Sequence, residues 1–190
     1  DGSGKTTQVR KLFSALQKRQ HPVRVVHEPG STALGQSIRR LLSARKRTPA
    51  RPGANALAPI VPEAELLLFQ ASRAQLVGEV IRPCLHNGIT VICDRYIYST
   101  VAYQGYGRKL DVKLIDRLNE AATGGLLPDL VVYLDMPPEA ALKRKAESTD
   151  MSRFERETLA FHQRVRQGYL HQAAADPARW FVVNALLPRS

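Results

Sequence analysis

Acidic residues are scarce in this chain. Seventeen Asp and Glu stand against 28 Lys and Arg, which leaves a net charge of +11. The shortage is sharpest between Pro29 and Pro62, where there is no carboxylate at all while Arg39, Arg40, Arg45, Lys46, Arg47 and Arg51 are present. A surplus of this size asks for an anionic partner. The basic stretch fits either a nucleic-acid patch or a solvated loop. No aromatic residue interleaves its charges, which favours the loop, because proteins that hold single strands place rings between their cations. Cysteine is nearly absent as well. Cys84 and Cys93 make neither a zinc site nor a disulfide framework, and both are expected to be reduced core residues of a cytoplasmic protein. No apolar run approaches the roughly 20 residues of a membrane-spanning helix, and no signal peptide is visible, so no membrane partner is expected. Repeats and low-complexity tracts are missing too, and 190 residues are enough for one domain with its own core.

What is present begins at the first residue. In Asp1-Gly2-Ser3-Gly4-Lys5-Thr6-Thr7, the Gly4-Lys5-Thr6 triplet is the back half of a phosphate-binding loop. Glycines let backbone N–H groups crowd around phosphate oxygens, Lys5 offers a point charge to the β/γ-phosphates, and the Thr6 hydroxyl suits Mg²⁺. Val9, Leu12, Phe13 and Leu16 then repeat at helical spacing, so a helix follows and turns its positive end to the anion. The full pattern needs another glycine five positions before Gly4. Its front half, and the buried strand from which such a loop hangs, are therefore expected upstream of Asp1, and residues 1–190 alone are expected to fold poorly.

Downstream the chain alternates. Val23 to His27 reads as a strand ending in the turn Glu28-Pro29-Gly30-Ser31-Thr32; Leu34, Ile38, Leu41 and Leu42 read as a helix. Residues 43–62 have no usable period and read as a loop. Pro62 opens a helix that runs to about Ile81, too apolar for one narrow stripe and so buried on more than one side. Arg73 stands one turn after Phe69 on the same face, which fits either a carboxylate-paired arginine or a ring and fork for a base. Ile89 to Cys93 is a continuous apolar strand stopping at Asp94-Arg95, the edge at which open α/β sheets bind ligands. Tyr96, Tyr98, Tyr103 and Tyr106 fall within eleven residues, together with Ser99 and Gln104. A helix over 111–122, a strand over 130–134, and helices on either side of a polar gap at 147–152 follow, the second carrying Phe154, Leu159, Phe161, Val165 and Tyr169. Trp180 to Val183 is a last short strand. Lys143, Arg144, Lys145, Arg153 and Arg156 flank the gap. They form either a basic flap over phosphates or a charged helical hairpin.

Taken in this order and spacing, these motifs resemble the thymidylate kinase family over nearly the whole chain: Asp1 to Gln8, Glu28-Pro29-Gly30, Leu66 to Phe69 with Arg73, Asp94-Arg95-Tyr96, Ser99 through Gly105, Pro128-Asp129 and Leu134-Asp135. The resemblance implies an α/β, three-layer P-loop NTPase fold: a parallel sheet flanked by helices, a single domain over 1–190 truncated at its start and also at its end, and a helical lid at about 143–157. It implies transfer of the γ-phosphate of ATP to dTMP, with Mg²⁺ as cofactor and a homodimer as the assembly. Lys5, Arg95 and Arg153 would be catalytic. Gly2, Ser3, Gly4, Lys5, Thr6, Thr7 and Asn184 would hold ATP, and Thr6 with Asp94 the metal. Glu28, Arg39, Phe69, Arg73, Arg95, Ser99, Tyr103 and Gln104 would surround dTMP: Arg39 on its phosphate, Phe69 stacked on thymine, Arg73 and Gln104 on the base edge, and Tyr103 where a 2′-hydroxyl would crowd it. The family carries a catalytic arginine either in the phosphate loop or in the lid. Gly2 and Ser3 leave this loop without one, so the lid type is implied, with Arg153, Lys145 or Arg144 supplying the cation. Two alternatives remain: a kinase for another deoxynucleoside monophosphate, and a basic nucleotide- or nucleic-acid-binding protein with little or no catalysis. A second base pocket argues against the latter, so nucleic acid is not an expected partner.

Overall fold

The computed structural model describes residues 2–43, 59–146 and 153–187. Most of the basic loop, with Arg45, Lys46, Arg47 and Arg51, and the middle of the lid, Glu147 to Ser152, lie outside the described residues. The chain runs α1 (Lys5–Lys18), β1 (Val23–His27), α2 (Ala33–Ser43), α3 (Pro62–Leu76), α4 (Arg82–His86), β2 (Thr90–Asp94), α5 (Ile97–Thr100), α6 (Val112–Thr123), β3 (Val131–Asp135), α7 (Pro138–Ala146), α8 (Leu159–Ala175) and β4 (Trp180–Asn184). All pairing is parallel. His27 lies opposite Asp94 at the end of the β1–β2 pair, and Asp135 opposite Asn184 at the end of β3–β4. Parallel neighbours need long crossovers, which the helices supply.

The predicted strands are all present. Among the described residues β1 pairs with β2 and β3 with β4, with no strand hydrogen-bonded between the two pairs. The apolar stripe predicted on α1 is not enclosed by the described residues. Leu12 is 47% exposed, and no residue of α1 is fully buried. Val132 and Phe181 on β3 and β4 are exposed as well.

Helix α3 starts as its sequence suggests, with Pro62 in the first turn and Glu63 and Glu65 at its positive end. It does not stop at Ile81. A wider, π-helical stretch at Val77–Ile81 carries it into α4. Its burial on several sides is real: Glu65, Leu66, Gln70, Ser72, Arg73 and Leu76 are all inaccessible, while Leu67 faces outward. A second π-helical stretch, Val101–Gly107, follows α5 directly. All of it except Tyr106 is buried, which excludes a tyrosine-rich surface helix. Helix α8 crosses this stretch at close range. A Cβ on Gly107 would stand 2.6 Å from the Phe161 ring, and one on Gly168 would stand 2.8 Å from the Tyr106 ring, so both positions need glycine for the approach. Phe154, expected within that helix, lies in the turns before it; α8 begins behind Thr158, whose hydroxyl accepts the Phe161 N–H at 3.3 Å.

Three apolar clusters fix the strand ends. Val26, Leu76, Val77 and Ile81 pack under β1 and β2; Leu66, Val101 and Ile115 join α3 to α6; Ala102, Tyr103, Phe161 and Val165 join the second π-helical stretch to α8. Among the described residues no helix is long and apolar enough to cross a membrane.

Candidate active site

The phosphate loop enters α1 through two left-handed glycines, Gly2 at φ 79° and Gly4 at φ 91°. No side chain caps the helix, so its first N–H groups stay open to an anion. Thr6 and Thr7 are exposed there. Gly2 is tightly bounded: a Cβ on it would stand 2.5 Å from the carbonyl oxygen of Ala141 in α7. An arginine at this position of the loop would require α7 to shift.

Lys5 is half-buried beside the carboxyl end of β2. Burial, with the Arg95 guanidinium adding to it, lowers its ammonium from 10.5 to about 8, and Asp94 and Glu155 pull the other way. The charged form prevails below that pH. In the free protein the attraction to phosphate should therefore fade as pH rises through about 8. The expected result is that kcat/KM for ATP falls above pH 8. The same titration is expected at higher pH in kcat, because bound phosphates favour the ammonium. A kcat/KM profile flat to pH 9.5 would contradict this.

Arg95 follows β2 directly and adopts φ 74°, a left-handed backbone that is uncommon for a side chain of this size. The surrounding contacts hold it there: its NH2 donates to the Tyr103 hydroxyl at 3.3 Å, and the guanidinium lies 4.9 Å from the centre of that ring. Tyr103 in turn stands edge-on to Phe154 at 5.7 Å, and Phe154 lies 6.1 Å from Phe69. Contacting side chains therefore lead from Arg95, whose charge acts on Lys5, through Tyr103 and Phe154 to Phe69.

Glu28 and Arg73 meet behind this path. Arg73 is 1% exposed. Its Nε and NH2 donate to the Glu28 carboxylate at 2.7–3.2 Å, its NH1 to Gln70 Oε1 at 3.1 Å and Asn119 Oδ1 at 2.7 Å, and its NH2 also to Thr100 Oγ1 at 2.8 Å. A guanidinium has five N–H donors, and all are used. A base contact from Arg73 needs one of these bonds exchanged. Burial pushes the Glu28 carboxyl up, and Arg73 opposes that. Gln104 is equally enclosed at 1%, its amide donating to Glu65 Oε1 at 2.7 Å. Both residues are enclosed by protein. Phe69 is half-buried, and Ser99 accepts the Tyr169 hydroxyl at 2.8 Å.

Arg39 is exposed and donates to the Pro29 carbonyl at 3.2 Å, at the Glu28-Pro29-Gly30 turn. Asn184 is exposed at the end of β4, and the next carbonyl, of Ala185, accepts from Arg144 at 3.3 Å, tying the residues after β4 to α7. Arg153 donates to Glu65 Oε2 at 2.5 Å and to the Ile60 carbonyl at 3.3 Å. Two carboxylates escaped the sequence argument. Glu65 is wholly buried, and Glu155 is 7% exposed and close enough to Lys5 to act on its charge. Glu65 had a signal, since it precedes Phe69 by one helical turn and Arg73 by two. Glu155 had none.

The sequence model of the family described as thymidylate kinase matches residues 1–189. The chain is similar to the thymidylate kinase of Nitratidesulfovibrio vulgaris strain Miyazaki F, with 47% identity over 97% of this chain and 85% of the relative. It is also similar to that of Gloeobacter violaceus, with 49% identity over 97% and 83%. Among solved structures, the thymidylate kinase of Ehrlichia chaffeensis aligns with a TM-score of 0.72 and 33% identity, covering 96% of this chain and 87% of that one.

Proposed function

Because the chain belongs to the thymidylate kinase family, we infer that it transfers the γ-phosphate of ATP to dTMP and releases dTDP and ADP. The observation that supports the reading is the run of contacting side chains from Arg95, beside the Lys5 charge, through Tyr103 and Phe154 to Phe69, which joins a phosphate site to a ring suited to stacking on a base. An oxygen of the dTMP phosphate attacks the γ-phosphorus, and the bond to the β-phosphate oxygen breaks. No residue need act as a nucleophile, so the protein contributes position and charge. The open N–H groups of α1 and the Lys5 ammonium hold the β/γ-oxygens. Arg95, braced on Tyr103, meets the transferred phosphate from the β2 side. Arg39 stands by the turn for the monophosphate. Phe69 offers its ring to thymine, and Tyr103 closes the sugar side. Glu28, Arg73, Ser99 and Gln104 back this pocket. Gly2, Ser3, Thr7 and Asn184 complete the ATP side, and Arg153 is the lid's candidate cation.

The residues present fit Mg²⁺. The Thr6 hydroxyl is exposed at the loop and the Asp94 carboxylate acts on Lys5 beside it, a hard-oxygen pair of the kind that holds this ion next to phosphates. Mg²⁺ bound there supplies further neutralisation of the phosphate oxygens. A homodimer is part of the proposal. Helix α3 packs between α2 and α6, and Leu34, Leu41, Leu67 and Leu114 on these three helices are 41–56% exposed, as an apolar face for a second copy requires.

The test is Mg²⁺-dependent ATP consumption with dTMP, dUMP, dCMP and dGMP in turn, with light scattering on the same sample. Preference for dTMP and a dimer mass are expected. Equal rates with every monophosphate would remove the thymine pocket from the proposal, and a monomer mass would remove the dimer.

A further inference from the structure

One buried carboxylate with three bonded partners at the site, Glu65, is none of the groups assigned above. Glu65 is 0% exposed in the first turn of α3. Its Oε1 accepts from Gln104 Nε2 at 2.7 Å and Arg108 Nε at 3.2 Å, and its Oε2 from Arg108 NH2 at 3.2 Å and Arg153 NH2 at 2.5 Å. These bonds use the acceptor capacity of a carboxylate in full. The second charge of this cluster is offset at its rim, where Arg108 NH1 meets Glu157 at 2.7 Å.

Three of the groups so gathered bear on the site from different sides. Gln104 adjoins Tyr103 in the second π-helical stretch. Glu65 itself precedes Phe69 by one turn of α3. Arg153 and Glu157 bracket the segment that ends the lid, and between them Phe154 enters the rings of Phe69 and Tyr103 while Glu155 is buried near Lys5. Both guanidinium groups also lie 5.8 Å from the Phe154 ring. A buried ion cluster is seldom retained for stability alone, since apolar residues of the same volume serve as well; fixing one arrangement is the better reason. Resting on the kinase reading, we propose that Glu65 is a positioning residue that fastens residues 153–157 onto α3, so that one buried carboxylate sets both the wall of the dTMP pocket and the placement of the lid's end.

The experiment is steady-state kinetics of Glu65→Gln with dTMP, dUMP and ATP varied in turn. The amide keeps the shape and one acceptor but leaves Arg153 without its Glu65 counter-charge and Arg108 with Glu157 alone. Expected are a rise in KM for dTMP and a fall in kcat, each on the order of 10-fold, with a narrowed preference for dTMP over dUMP and KM for ATP shifted by no more than about twofold. In an Arg153→Ala background the further effect of E65Q on kcat should shrink to about twofold or less, because both act through one contact. Tryptic cleavage after Arg153 and Arg156, which needs no turnover, should be on the order of 5-fold faster in E65Q. If E65Q does not fold, Glu157→Gln loosens the same clip from its more exposed end, with shifts in the same direction of about 3-fold.

A purely structural role would lower the melting temperature and the yield of active enzyme while leaving the dTMP constants and the cleavage rate of the folded fraction unchanged, and that result overturns the proposal. So does an equal rise in the KM of both substrates. A wild-type protein without dTMP turnover would instead sink the kinase reading, and the cleavage rates would still decide the role of Glu65.

Discussion

Replacing Lys5 with alanine is expected to lower turnover of ATP with dTMP by on the order of 10²-fold or more, the effect of removing one preorganised group from a developing charge. The same change should leave the fold intact. Lys5 makes no part of the three apolar clusters, and its ammonium is held down to about 8, first by burial and then by Arg95. The sign for stability follows from that. Below pH 8 both folded and unfolded chains carry the proton, and the folded one bears the cost of the buried charge. Above 10.5 neither carries it, and the cost is gone. Lys5→Ala is thus expected to melt at or above the wild-type temperature at pH 7, with the advantage fading between pH 8 and 10.5. A site that gains stability when its functional cation is removed is one arranged for a ligand's charge. Kinetics with melts at pH 7 and 10 read both effects. A near-normal rate, or a large loss of stability at pH 7, would refute the assignment.

The largest expected loss of stability is at Arg73. Its five donors serve Glu28, Gln70, Asn119 and Thr100, and both members of the ion pair are almost wholly buried. Arg73→Met fills similar space with an apolar chain and leaves the Glu28 carboxylate without a counter-charge. Removing one partner of such a pair costs about 3–5 kcal/mol. Glu28 can escape the cost by taking up a proton, since burial already pushes its carboxyl upward and Arg73 is what opposes that. The variant's deficit should therefore shrink as pH falls toward 5, where a neutral Glu28 is cheaper to bury. Urea melts at pH 5 and pH 8 distinguish this from simple loss of packing, which would give the same deficit at both. A deficit under 1 kcal/mol at pH 8 would show that the knot contributes little.

Much of this architecture was legible from local pattern. The strands at 23–27, 90–94, 131–135 and 180–184 follow from β-branched and apolar runs, Asp94-Arg95 from where one of those runs stops, and the phosphate loop from Gly4-Lys5-Thr6. What escaped was set by contacts distant in sequence. Glu28 and Arg73 are 45 residues apart and Glu65 and Arg153 are 88 apart, so neither pairing leaves a periodic trace. The carboxylate-paired reading of Arg73 was one of two open readings, and only the buried geometry shows how completely its donors are used. The π-helical stretches escaped because one extra residue per turn leaves composition unchanged; Tyr103 and Gln104 are buried together by that widening.

The carbonyl of Ala141, 2.5 Å from where a side chain at Gly2 would begin, also bears on how such a chain can change over generations. Any single substitution at Gly2 meets both this backbone oxygen and the unfavourable φ of 79°. Placing a cation in the phosphate loop by this one change would therefore also require α7 to move, so the two segments can change there only together.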